Sequence, residues 1–219
     1  MLSKYLSYTD RTGEAAFAVL MVIIINGYVA LSNLNTGFVY IVAVNLGACL
    51  GWGVIDGLIY AISSSIDRNN NRKKLIQLKA SSKNPNALEQ VKKNLEDTLL
   101  VSFSEEGKNA VAKDIITYVP EATLSKNKLL TKDEVLGWLS IIGIYMTVGF
   151  LMALPFLVFP NKEWAWFISN AFGVAWVTWY GVQLGKSAGK NRWLIGIIMG
   201  LVAVGFLVGS YIVWSGQSI

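Results

Sequence analysis

The apolar residues of this chain are gathered into five runs, each long enough to enter the roughly 30 Å hydrocarbon core of a bilayer as a helix of about 20 residues. The runs are Ala15 to Leu31, Phe38 to Ile66, Val135 to Phe159, Trp164 to Leu184 and Trp193 to Trp214, the first short and the second long. In lipid every backbone N–H and C=O must be satisfied within the protein, which a helix achieves by itself. The expected fold class is therefore an all-α integral membrane protein with five transmembrane helices. With 53% hydrophobic and only 15% charged residues, the chain has too little polar surface to cover a soluble globule of 219 residues. Residues 1 to 14 show no small-residue cleavage pattern, so the first run is expected to stay as a mature helix.

Basic residues orient the spans, because Lys and Arg close to span ends are retained on the cytoplasmic side. Lys4 and Arg11 precede the first run, Arg68 through Lys132 fall between the second and third, and Lys186, Lys190 and Arg192 lie between the fourth and fifth. Of 19 basic residues only Lys162 falls on the other side. The expected topology has the N-terminus in the cytoplasm and the C-terminus opposite, in the plasma membrane if the cell is prokaryotic. The net charge of +5 serves this sorting and attraction to anionic lipid. No aromatic-basic recognition motif accompanies the lysines, so nucleic acid is not an expected partner.

Three segments follow: residues 1–68 with the first two helices, 69–134 as a cytoplasmic helical insert, and 135–219 with helices three to five. Within the insert, Asn69-Asn70-Asn71 and Ser81-Ser82-Lys83-Asn84-Pro85-Asn86 read as loops. From Ala87, Leu88, Val91, Leu95, Leu99 and Phe103 recur at helical spacing opposite a charged face, which predicts an amphipathic helix. A second helix is predicted near Lys108 to Val119, ending before Pro120. So small a module is expected to pack on itself, on a second subunit or on the membrane-proximal helix ends. Thr131-Lys132-Asp133-Glu134 has the spacing of a capping box at the start of the third span.

Chemistry is narrowed by what is missing. Zero histidines remove imidazole-based metal ligation and Ser-His or Cys-His catalysis, and the single cysteine, Cys49, has no intrachain partner. Ser63, Ser64 and Ser65 near Asp67 have no activating base, so an enzyme is not expected. Asp56 is the ionisable group placed well inside a run, where an ionised Asp costs roughly 3 kcal/mol, so it either lies on an ion or proton path or reaches water near the inner interface. Asn45 precedes it by close to three helical turns, with Cys49 and Trp52 between, as a polar stripe. Asn26 and Asn170 either join such a path or make ordinary interhelical hydrogen bonds. The small-xxx-small pairs Gly47 with Gly51 and Gly53 with Gly57 flank Asp56 and predict close helix packing there. Pro155 should kink the third span, and Trp164, Trp166, Trp193 and Trp214 read as interface anchors.

The stretch Asn45-Leu46-Gly47-Ala48-Cys49-Leu50-Gly51-Trp52-Gly53-Val54-Ile55-Asp56-Gly57, continuing to Asp67-Arg68, together with the order of spans and insert, resembles the vacuolar iron transporter family in a divergent prokaryotic-type form. That resemblance implies a homodimer through whose interface divalent iron or manganese crosses in exchange for protons, with no permanently bound cofactor. It implies Asp56 as the acidic ligand of the second span, and a cytoplasmic helical insert that binds metal, for which Glu89, Glu96, Glu105 and Glu106 are the carboxylates available. The family's first-span Asp has no counterpart here: the corresponding stretch reads Val19-Leu20-Met21-Val22, leaving Met21 as a soft ligand or as a packed apolar side chain. Two functions therefore stay open, transport of a divalent cation past Asp56, Asn45, Met21 and Asn26, and a non-transporting membrane scaffold or regulator with the same fold.

Overall fold

The computed structural model of the chain describes residues 5–31, 37–82, 84, 86–94, 102–124 and 128–215. The described residues form helices and turns, with no strand among them: α1 (Tyr8–Leu31), α2 (Phe38–Ser81), α3 (Ala87–Asn94), α4 (Glu105–Tyr118), a short 3-10 turn (Val119–Glu121), α5 (Lys132–Val158), α6 (Lys162–Ser187) and α7 (Arg192–Ser215). Two compact units result, Met1–Ala61 with Lys132–Ile219, and Ile62–Thr131, and the long helix α2 gives residues to both.

Local chemistry sets where the helices of the first unit begin. At α1 the Ser7 hydroxyl accepts from the Asp10 N–H at 3.1 Å while the Asp10 carboxylate accepts from the Ser7 N–H at 3.2 Å, a reciprocal cap over donors that have no intrahelical partner. Asn161 takes the same role before α6, accepting from Glu163 and Trp164 at 2.8 and 3.1 Å, and Asn191 before α7, accepting from Trp193 and Leu194. Between α6 and α7 the chain turns at Gly189, whose φ of 63° is a left-handed conformation suited to glycine, and Lys190 N–H donates to the Gly185 carbonyl at 3.0 Å. Pro155 lies inside α5, which continues to Val158.

Among the described residues three helices are long and apolar enough to cross a membrane: Phe38–Ala80, Lys132–Val158 and Arg192–Val213. The runs expected as first and fourth spans form α1 and α6, of 24 and 26 residues. Their polar ends and internal Asn26, Asn170 and Thr178 dilute the hydropathy. The outward faces are apolar, as lipid requires: Leu201 is 65% exposed, Ile197 57% and Ile59 57%. Trp164 and Trp193 are exposed at the starts of α6 and α7, whereas the Trp166 indole N–H turns inward and donates to the Asn26 carbonyl at 3.1 Å, so that residue packs instead of anchoring. The side chain of Trp214 lies outside the described residues.

The core of this unit gathers Val19, Val22, Ile23, Cys49, Ile141, Tyr145, Val148, Met152 and Val177. Helix α1 packs against α5, α6 and α7, and its Ala15, Ala16 and Ala18 are small enough to let three neighbours close on it. Along α2, Ile41, Asn45, Cys49, Gly53, Gly57 and Ala61 are buried at strict four-residue spacing. Added Cβ atoms show how close α5 comes: one at Gly53 would lie 3.0 Å from the Tyr145 Cβ and 3.2 Å from the Ile142 Cα, and one at Gly57 would lie 2.8 Å from the Trp138 carbonyl oxygen. From the other side, Gly149 receives Cys49 and Gly137 receives Tyr60. Gly47 and Gly51 meet nothing within 4 Å and face outward.

In the second unit the sequence expectation needs three corrections. Asn69-Asn70-Asn71 is not a loop: α2 runs through it to Ser81, because the good helix formers from Arg72 to Ala80 outweigh the few tenths of a kcal/mol that each Asn costs. Phe103 is not on the first amphipathic helix, since it lies in the turn before α4, and Leu95 and Leu99 lie outside the described residues. The predicted second helix starts at Glu105, earlier than Lys108, with Ser104 as its cap, accepting from the Gly107 N–H at 3.2 Å. Lys108 and then Lys92 hydrogen-bond the Glu105 carboxylate and hold its proton affinity below the ordinary range. This link is therefore complete above the usual carboxylate titration and is lost only as the pH falls through the lowered value.

Gly57→Ala is expected to lower stability by ~1–3 kcal/mol, because its methyl meets Trp138 backbone. Gly51→Ala, in open space, should be neutral or stabilising by up to about 1 kcal/mol. Thermal unfolding of both variants in the same detergent checks the contrast, and equal losses would contradict the α2–α5 contact.

Candidate functional site

The glycine-lined approach of α2 to α5 positions a cluster of ionisable groups. Asp56, half-buried beside Gly57, receives a hydrogen bond from the hydroxyl of Tyr145, a residue with no exposed surface. Glu14 of α1 lies within electrostatic reach of the same hydroxyl and of Asp56, and Asp10, one turn earlier, lies close enough to add negative potential. Three helices thus converge on one phenol. Among the described residues no Lys or Arg forms an ion pair with Asp56 or Glu14. A phenol has a single proton to donate, so it serves one carboxylate as donor and can only accept from the other carboxyl. Two carboxyls with no counter-charge of their own suit a cation, or protons, as the balancing positive charge.

A second polar cluster lies roughly 17 Å away along both α1 and α2, at 1.5 Å per residue. Asn45 Nδ2 donates to Asn26 Oδ1 at 3.1 Å, Asn26 Nδ2 donates to Ser169 Oγ at 2.9 Å, and Ser169 Oγ donates to the Met152 carbonyl at 2.7 Å. Asn45, Asn26 and Ser169 have no exposed surface. Asn170 follows Ser169 and donates to the Trp166 carbonyl at 2.9 Å. Two acceptors, Asn45 Oδ1 and Asn170 Oδ1, are buried without a partner among the described residues. Asn26 thus makes interhelical and Asn170 intrahelical hydrogen bonds, and Asn45 keeps an open valence among the described residues.

Between the clusters the packing is apolar. Met21 belongs to this layer, nearly buried in the core two helical turns beyond Glu14, and Cys49 sits against Gly149. In the second unit, Glu89 and Glu106 are exposed, Glu105 is held by its two lysines, and Glu96 lies outside the described residues. Among the described residues no group of three Cys, Asp or Glu side chains is placed to hold a metal ion. Sequence reasoning missed Glu14, Tyr145 and Ser169. Glu14 closes a polar leader and reads as its last residue; its place on the α1 face is legible only by continuing the helical period back from Ala15 and Ala18. Tyr145 looks like one more large side chain in an apolar run.

Ser169→Ala should leave Asn26 Nδ2 without its acceptor and cost about 0.6–1.7 kcal/mol, the span measured for such bonds between membrane helices. Ser169→Thr, which keeps the hydroxyl, should recover most of this in the same unfolding measurement. The chain matches no protein-family model, and no curated protein matches it either.

Proposed function

We propose that this protein carries a divalent cation, iron(II) or manganese(II), across a membrane in exchange for protons, with Glu14 and Asp56 as the exchanging groups. All five of α1, α2, α5, α6 and α7 cross the bilayer in this reading, with residues 69–134 and the N-terminus on the cytoplasmic side. The observation that carries it is the placement of two carboxyls from different helices at the Tyr145 hydroxyl, with no Lys or Arg paired to either among the described residues. Glu14 offers, a little more than one turn before Val19, the first-helix carboxyl that the resembled family places further along. Carboxylate and phenol oxygens suit hard and borderline divalent cations. Because a metal ligand must be deprotonated, cation entry expels protons from the two carboxyls and protonation expels the cation, which couples the fluxes. A second copy of the chain would cover the outward face of Gly47 and Gly51 and complete the coordination shell at a dimer interface.

The competing reading is a membrane scaffold or regulator without flux, favoured by the lack of a three-ligand group among the described residues. Iron(II) and manganese(II) uptake into proteoliposomes, with and without a pH gradient, separates the two. Wild type should transport, Asp56→Asn and Glu14→Gln should abolish uptake, and Tyr145→Phe should slow it by about 10–100-fold, as loss of a ligand-orienting group does. Uptake unchanged in Asp56→Asn would sink this mechanism, and no uptake by folded wild type would leave the scaffold.

A further inference from the structure

The second unit contains a cavity of about 550 Å³ whose chemistry differs from the carboxylate cluster. Its wall along α2 is one helical face, Ser64, Asp67, Arg68, Asn71 and Arg72, and Thr123, two residues beyond the 3-10 turn, closes the other side. Leu75 adds an apolar patch at the far end. Arg68 is oriented before any ligand arrives, because its Nη2 donates to Ser65 Oγ at 3.1 Å and to the Lys128 carbonyl at 2.8 Å, and Ser65 Oγ in turn donates to the Leu129 carbonyl at 2.6 Å. A guanidinium is planar and permanently charged and attracts an anion even where part of its fork is already engaged, and the Ser64 and Thr123 hydroxyls and the Asn71 amide share the wall with it.

Two guanidiniums against one carboxylate leave the wall with one net positive charge. That matches a phosphodiester, which carries a single negative charge, better than a phosphomonoester or inorganic phosphate, which carries roughly 1.5–2 at neutral pH. Position points the same way. Ser64 still belongs to the apolar run Phe38 to Ile66, and the other α2 residues of the wall follow it on the same unbroken helix, where Arg72, Lys73, Lys74 and Lys79 make the stretch basic. Basic residues immediately cytoplasmic of a membrane helix collect anionic lipid.

We propose that this cavity binds the phosphodiester headgroup of an anionic phospholipid. The site is independent of the cation reading, since lipid binding and metal flux are separate measurements on separate residues.

Full-length protein in neutral detergent, titrated with phosphatidylglycerol, phosphatidylcholine or inorganic phosphate while its melting temperature is followed, tests the proposal. Phosphatidylglycerol should raise the melting temperature saturably and phosphatidylcholine, whose choline cancels the charge, should not. Arg72→Gln should weaken the phosphatidylglycerol midpoint about fivefold, the equivalent of ~1 kcal/mol per basic residue at a lipid surface. Lys74→Gln, which removes the same charge outside the cavity, should leave it unchanged. Thr123→Glu, on an exposed edge of the cavity, should weaken it likewise and serves if Arg72→Gln does not fold. Equal weakening by Lys74→Gln would reduce the effect to general surface charge, and saturation by inorganic phosphate would make a free anion the ligand; either overturns the lipid assignment.

Discussion

What the candidate site depends on is the distance between two helix backbones. Lipid tails are as apolar as leucine, so nothing hydrophobic drives α2 onto α5, and the contact must come from close van der Waals packing. Gly53 and Gly57 supply it by leaving room for Tyr145, Ile142 and the Trp138 backbone, and Gly137 and Gly149 answer by leaving room for Tyr60 and Cys49. Each helix provides both the missing side chains and the ones that fill the gaps. The Trp138 indole N–H then donates to the Val54 carbonyl at 3.0 Å, tying the two at the level of the site. At an ordinary interaxial separation of roughly 8–10 Å, side chains at these positions would hold the Tyr145 hydroxyl away from Asp56. The site follows from the absence of side chains as much as from the groups that form it.

Helix α1 is the other requirement. It contributes Glu14 to one polar cluster and Asn26 to the other, and its alanines let α5, α6 and α7 close around it. The two clusters differ in kind. One offers acidic groups with a shared phenol and wants positive charge; the other is a neutral chain of amides and a hydroxyl that satisfies nearly all of its own valences. The layer between them is apolar, with Val22, Ile23, Val148 and Met152 in it and the Cys49 thiol as a weakly polar member.

Much of the architecture was legible in the sequence, because length and apolarity are properties of single segments. The five runs correspond to helices α1, α2, α5, α6 and α7, of which α2, α5 and α7 meet the length and apolarity of a span among the described residues. What depended on faces was less legible. Gly47 with Gly51 and Gly53 with Gly57 have identical spacing, yet only the second pair lies on the face shared with Asn45 and Cys49; a two-residue offset turns the helix by about 200° and separates packed from open. Trp166 had the composition of an interface anchor and found a carbonyl acceptor inside the bundle instead. Asn69 to Asn71 had the composition of a turn, but a long helix already under way on both sides absorbs three weak breakers. Asp56 was visible as a charge in an apolar run, whereas Glu14, its counterpart, was hidden by standing one residue before such a run.

The hydrogen bonds from Asn45 through Asn26 and Ser169 to the Met152 carbonyl all point the same way. Their dipoles consequently add head to tail, and hydrogen bonds in series polarise one another in a low-dielectric interior. The positive pole is spent on the Met152 carbonyl, while the negative pole ends on Asn45 Oδ1, which has no partner among the described residues. The amide row therefore concentrates its negative end on one fully buried oxygen, an acceptor sharpened by the bonds behind it.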